Sequence, residues 1–206
     1  LVPPEILRYL IASTKPKRAI NFDAGMSLVN LADEYERLVS RDLELEGSNE
    51  ELTRRQKVAI EDALGTIKMS CIGDVVSSPI TFRHLAMLAQ VKSDEEIIEA
   101  LGNEISIRLS KMNNWIEGAY FPEEMRISVL SSPAQNLDSA ITTVLAKSLA
   151  VCEWDNTGIS NAISSAFKNN SIPVKEGYRT LYLAILGLEK GPKLSPIIAE
   201  LNRENI

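Results

Sequence analysis

Residues 3–38 read PPEILRYLIASTKPKRAINFDAGMSLVNLADEYERL, and this stretch decides how the rest of the chain is interpreted. Pro3 and Pro4 followed by Glu5 are typical of a helix start, because proline is tolerated in the first turn and an acid complements the positive end of a helix. Apolar residues then recur at helical spacing as far as Ile11. The stretch therefore predicts a helix that begins at the prolines.

Three further features follow in the same stretch. Lys15, Lys17 and Arg18 form a basic turn around a proline, which ends the first helix. Residues 19–23 alternate apolar and polar side chains, which predicts a short strand. The apolar stripe of a second helix comes last and consists of Leu28, Leu31, Tyr35 and Leu38.

The composition is that of an ordinary globular protein, with 206 residues of which 45% are hydrophobic and 24% charged. The net charge of −6 argues against a surface coated in positive potential, but it does not exclude RNA binding, which depends on where basic residues cluster. No apolar run approaches the roughly 18 residues of a membrane span, and the first residues lack a signal-peptide pattern. We therefore expect a cytoplasmic protein. The absence of an initiator Met fits a segment of a longer chain.

Capping patterns and glycines divide the chain after residue 38 into helices. Ser48 and Ser93 each begin a capping box, and Gly65 and Gly102 are predicted to end the helices that follow them. Further helices are predicted at residues 80–91, 104–118, 137–153, 158–169, 175–187 and 194–202. The fold class is therefore mainly α, a multi-helix array preceded by a small α+β segment.

Several phrases of this sequence resemble class I lysyl-tRNA synthetases of the archaeal type. Residues 3–38 resemble the segment that follows the KMSKS loop in that family, with its PPE and LRY helix, TKP turn, FD strand and DEY helix. Later phrases of the family are matched by FRHL with AQ at residues 82–90, by NW and PEE within 114–124, and by LY, LG and GP within 181–196.

The resemblance implies that this chain is the carboxy-terminal part of such an enzyme, without its amino-terminal catalytic domain. Residues 1–45 would be a stem-contact segment. Residues 46–133 and 134–206 would be two subdomains of a helical cage like the anticodon-binding domain of glutamyl-tRNA synthetase. The cage would hold lysine tRNA while the absent domain uses ATP and magnesium to attach lysine. This part is expected to be non-catalytic, with no cofactor, metal, DNA or membrane partner of its own.

RNA phosphates are bound by Lys and Arg, and unpaired bases stack on aromatic rings. Two basic stretches and one aromatic residue offer such groups. The candidate tRNA contacts are Lys15, Lys17, Arg18, Trp154, Lys168, Lys175, Tyr178, Arg179, Lys190 and Lys193. Taken alone, the basic turn is by default a solvated loop, and packing against the core is the preferred interpretation of Tyr178. For Trp154, core packing and exposure stay open.

Other features favour structural roles. Residues 68–71 read KMSC and resemble the start of a KMSKS loop, but Cys71 replaces the second lysine, so we interpret the match as chance. His84 and Trp115 lie on apolar helices and are predicted to be structural. Cys71 and Cys152 are predicted to be reduced, partly buried thiols.

Two alternative functions stay open from sequence. One is the equivalent cage of a glutamyl-type synthetase. The other is a helical protein-interaction module without an RNA role, which the acidic net charge favours. Salt dependence separates RNA binding from an apolar protein interface, because only phosphate contacts weaken steeply with salt.

Overall fold

The computed structural model describes residues 3–20, 22–47, 53–73, 78–130 and 137–203. These residues form ten α-helices and no strand, which confirms the mainly α multi-helix fold. The chain divides into two compact units: Leu1–Ala89 with Asp94–Pro122, and Gln90–Ser93 with Glu123–Ile206. None of the helices in the described segments combines the length and apolar character that crossing a bilayer requires.

Three helices begin the first unit: α1 (Pro4–Ser13), α2 (Met26–Gly47) and α3 (Arg54–Ser70). They pack on one another. The apolar side chains that they bury are Ile6, Tyr9, Leu28, Val29, Ala32, Tyr35, Val39 and Ile67. Arg8 of α1 donates from Nε to the carbonyl of Ser70, 2.6 Å away, and so satisfies a carbonyl at the end of α3.

Helix α2 begins at Met26, shortly after the residues that were predicted to form a strand. The carboxylate of Asp23 accepts hydrogen bonds from the amides of Gly25 and Ser27, and these bonds hold its pKa below the ordinary value. The described residues of the predicted strand, 19, 20, 22 and 23, are not in a strand, and residue 21 lies outside the described part. A strand needs a partner to satisfy its backbone groups, and the described residues supply none.

The prediction that Gly65 ends a helix is wrong, because α3 continues through it to Ser70. Glycine in a helix interior costs only about 0.5–1 kcal/mol. Ile67, beyond the glycine, is 1% exposed, so its burial favours continuing the helix. The capping box predicted at Ser48 lies outside the described residues.

The first unit continues with α4 (Phe82–Val91), whose last residues belong to the second unit, and with α5 (Asp94–Leu101). A short 3-10 turn, Asn103–Ile105, then leads into α6 (Ser106–Ile116). Gly102 has a φ of +87° and ends α5 as predicted, because glycine adopts this backbone conformation without steric cost.

An aromatic cluster lies in the core of the first unit. Trp115 of α6 is 1% exposed and contacts Phe82 and Phe121, with ring centroids 5.2 and 4.8 Å away. Its indole Nε1 donates to the carbonyl of Ala24, at 2.7 Å. The prediction that this tryptophan packs in the core is confirmed.

Four helices form most of the second unit: α7 (Ser139–Val151), α8 (Asn156–Asn169), α9 (Val174–Leu186) and α10 (Leu194–Glu200). Helix α8 packs on α7 and α10, and α7 also packs on α9. The apolar side chains that these helices bury are Leu145, Leu149, Ile159, Ile163, Ala166, Phe167, Leu181, Ile185, Leu186, Leu194, Ile197 and Ile198.

Aspartate side chains cap the amino-terminal ends of two of these helices. Asp138 accepts from the amides of Ala140 and Ile141 at the start of α7, and Asp155 accepts from the amide of Gly158 at the start of α8. A side-chain oxygen at this position satisfies amides that have no partner within the helix.

His84 and the two cysteines have the following environments. His84 lies on α4 and is exposed, and its amide donates to Oγ1 of Thr81 at 3.2 Å. Cys71 and Cys152 are not joined in a disulfide and are half-buried, as predicted. The sulfur of Cys71 lies 3.3 Å from the hydroxyl of Tyr35, and burial raises the pKa of that phenol.

Candidate nucleic-acid interface

Helix α9 and the loop that follows it, residues 187–193, form one folded surface. Gly187 has a φ of +67° and ends the helix, donating from its amide to the carbonyl of Leu183. The loop then returns along α9, because the hydroxyl of Tyr182 lies 3.0 Å from the carbonyl of Gly191 and 2.8 Å from that of Pro192. This contact fixes the loop backbone against the helix.

Four of the predicted cations lie on α9 and the loop that follows it. Lys175 and Arg179 are four residues apart and share one exposed face of α9. Lys190 and Lys193 are exposed on the loop, on either side of the carbonyls that Tyr182 holds. We call these four residues the C-terminal basic surface.

Arg179 carries an acidic partner within that surface. Its Nη2 forms an ion pair with Oε1 of Glu189, and both side chains are largely exposed. The pair joins the middle of α9 to the loop. Sequence reasoning did not identify Glu189 or Tyr182 as parts of this site, because nothing local in the sequence shows that the loop folds back.

Two further candidates lie where α8 meets α9. Lys168 is exposed in the last turn of α8. Tyr178 is half-buried and meets the ring of Phe167 edge to face, with centroids 5.3 Å apart. This contact favours the packing interpretation of Tyr178.

Trp154 lies between α7 and α8 and is half-buried. Its Nε1 donates to the carbonyl of Leu201 at 3.0 Å, and the guanidinium of Arg203 lies 5.1 Å from its ring centroid. Arg203 also places Nη2 within 3.0 Å of three carbonyls at the end of α7, those of Leu149, Ala150 and Cys152. Trp154 and Arg203 therefore join residues 201–203 to the segment at the end of α7.

The remaining candidates belong to the basic turn of the first unit. Lys15, Lys17 and Arg18 are all exposed, and the amide of Arg18 donates to the carbonyl of Lys15 at 3.1 Å. Lys17 has a φ of +76°, an unusual backbone conformation for a residue other than glycine. Two exposed apolar side chains, Ile20 and Phe22, follow the turn. Cations and an aromatic ring are thus presented together.

The KMSC match does not form a catalytic loop. Lys68 to Ser70 complete the last turn of α3, Ser70 is buried, and Met69 is 69% exposed. The described residues also include no group of three or more His, Cys, Asp or Glu side chains placed to hold a metal ion.

Comparison with known proteins gives the following result. No family model matches the chain. It is 29% identical over 221 residues to a lysine--tRNA ligase of Thermoplasma volcanium, 29% over 230 residues to one of Pyrococcus furiosus, and 28% over 229 residues to one of Thermococcus kodakarensis. Each match covers 99% of this chain and 41–42% of the relative. The resemblance to archaeal lysyl-tRNA synthetases is thus confirmed, and the chain spans about two fifths of the length of these relatives.

Proposed function

We propose that this chain is the tRNA-binding region of a class I lysyl-tRNA synthetase, which holds the anticodon arm of lysine tRNA while a separate catalytic domain attaches lysine. The observation that carries the proposal is the similarity to lysine--tRNA ligases over 99% of the chain. A cytoplasmic location and the use of ATP and magnesium by the catalytic domain belong to the same proposal.

The C-terminal basic surface supports a role in RNA binding. Its four cations are exposed although the chain carries a net charge of −6, so positive charge is concentrated locally. Such local concentration, and not the overall charge, provides affinity for phosphates. We assign Lys175, Lys190 and Lys193 to phosphate contacts along the anticodon arm, and we place Lys168 at the margin of this surface.

The folded loop supports the same assignment. Contacts within the chain hold the loop, because the hydroxyl of Tyr182 donates to the carbonyls of Gly191 and Pro192. A loop that is already ordered loses less conformational entropy on binding, so more of its contact energy contributes to affinity. Tyr178, which is half-buried, is the candidate for stacking on a base.

We assign the basic turn of the first unit to the tRNA backbone outside the anticodon. Lys15, Lys17 and Arg18 are exposed cations that suit phosphate contacts, and Phe22 beside them is 45% exposed. Contacts of this kind position an RNA without reading its sequence. Trp154 is the weakest candidate of the original set, because Leu201 and Arg203 already occupy its indole N–H and one ring face.

A salt titration with matched lysine substitutions tests the proposal. We expect the 206-residue chain to bind a lysine tRNA transcript with an affinity that falls steeply as salt rises. Lys190→Gln should weaken binding and reduce the salt slope by about 0.9 for the lost phosphate contact. Lys147→Gln, which removes an exposed cation from α7 in the same unit, is the control and should leave both values nearly unchanged.

The same titration can also contradict the proposed function. An affinity that does not change with salt concentration would contradict phosphate recognition by the C-terminal basic surface. Equal effects of Lys190→Gln and Lys147→Gln would contradict it as well. Absence of tRNA binding at low salt would instead favour a helical protein-interaction module.

A further inference from the structure

Arg179 belongs to the C-terminal basic surface, but its guanidinium is paired with the carboxylate of Glu189. The two side chains are 57% and 67% exposed. An ion pair in water gains little from its Coulomb attraction, because solvent and salt screen both charges. The pair is therefore weak enough for another anion to replace the carboxylate.

The position of Glu189 does not depend on this ion pair. Gly187 ends α9 and Tyr182 holds Gly191 and Pro192, so the loop is tied to the helix on both sides of the acid. When an RNA phosphate approaches Arg179, the carboxylate consequently stays nearby. It then competes with the phosphate for the guanidinium.

We propose that Glu189 sets the affinity of this surface for RNA by holding Arg179 in reserve until a phosphate displaces the carboxylate. The inference rests on the proposed function, because it concerns the same surface. The guanidinium has planar paired donors that suit phosphate as well as carboxylate, so one anion can replace the other without rearranging the arginine. A phosphate that does not reach Arg179 gains nothing from the arginine.

The experiment is a double-mutant cycle in tRNA binding. Glu189→Gln removes the competing charge and keeps the shape of the side chain. We expect it to tighten binding of a lysine tRNA transcript by about threefold to tenfold at low salt, because one more phosphate contact becomes available. In an Arg179→Gln background the same change should have much less effect, since the arginine that it releases is absent.

Glu176→Gln is the matched control, because it removes one acidic charge from an exposed position in the first turn of α9. It separates release of Arg179 from a general gain in positive potential. We expect it to change affinity by less than about twofold, the size of a screened long-range charge effect.

Each outcome supports or overturns the inference about Glu189 and Arg179. A gain with Glu189→Gln that disappears without Arg179 supports the inference. Three results overturn it: an equal gain with Glu176→Gln, an unchanged affinity of Glu189→Gln, or a gain that persists in the Arg179→Gln background. In these cases tRNA binding by the unsubstituted chain still supports the proposed function. No binding by any of the proteins would overturn the proposed function and this inference with it.

Discussion

The carboxylate of Glu36 accepts a hydrogen bond from the amide of Phe82, 2.7 Å away, and so caps the start of α4 from α2. The second carboxylate oxygen, Oε2, is buried and has no hydrogen-bond partner. Burial raises the pKa of Glu36 to about 7, against the lowering effect of the Phe82 amide. Among the nearby charges, Asp33 adds to the rise and Arg108 opposes it. A carboxyl that is ionised in the unfolded chain is thus partly protonated in the folded one near neutral pH.

This pKa predicts how Glu36→Gln changes the pH dependence of stability. The folded-state pKa lies above the ordinary value of 4.5, so the wild-type protein loses stability as pH rises from about 4.5 to about 7. Glutamine stays neutral and avoids this loss. The quantity to compare is the free energy of unfolding of Glu36→Gln minus that of wild type. We expect this difference to be about 1–2 kcal/mol larger at pH 8 than at pH 5, after allowance for solvent screening.

Urea denaturation of both proteins at pH 5 and pH 8, followed by circular dichroism, measures the difference. Glu99→Gln is the control, because Glu99 is an exposed acid on α5 in the same unit. A stability difference between wild type and Glu36→Gln that is the same at both pH values would contradict the raised pKa.

Two glycine-to-alanine changes should shift stability in opposite directions. A Cβ at Gly177 of α9 would overlap the ring of Phe167, which is itself buried and has no room to move. We expect Gly177→Ala to lower the free energy of unfolding by about 1–3 kcal/mol through overpacking. Gly65 of α3 has nothing within 4 Å of its Cβ position, so Gly65→Ala should raise stability by about 0.5–1 kcal/mol. Thermal or urea denaturation of the two variants compares them, and equal effects would contradict the packing at Gly177.

Removing the central indole of the first unit should be costly. Trp115→Ala deletes the ring between Phe82 and Phe121 and leaves the Ala24 carbonyl without its donor. We expect a loss of about 3–5 kcal/mol, measured by urea denaturation with circular dichroism. Tyr120→Ala is the comparison, since Tyr120 is 68% exposed and its removal should change stability by less than about 0.5 kcal/mol. Similar losses of stability in the two variants would contradict the central packing role of Trp115.

The helices were largely predictable from local patterns. The glycine at 187 marks the end of α9, and Pro4 with Glu5 marks the start of α1, because caps and first-turn preferences act within a few residues. Gly65 misled the same reasoning, since burial of Ile67 beyond it outweighs the small cost of a helical glycine.

The contacts between residues far apart in the sequence were not predictable in this way. Glu36 and Phe82 are 46 residues apart, and Arg203 meets the end of α7 from more than 50 residues away. Arg179 and Glu189 are closer in sequence, but they meet only because the loop folds back onto Tyr182. Sequence patterns indicate which residues are cationic or aromatic, whereas tertiary packing decides which of them meet.

The central claim is recognition of the anticodon arm of lysine tRNA. The most direct measurement is the ratio of dissociation constants of the 206-residue chain for a lysine tRNA transcript and for a transcript that differs only in the anticodon, at moderate salt. We expect the native transcript to bind about tenfold tighter, since each base contact contributes about 1–3 kcal/mol and survives salt better than phosphate contacts do. Equal affinities that vanish together as salt rises would contradict the claim and leave only general attraction to phosphates.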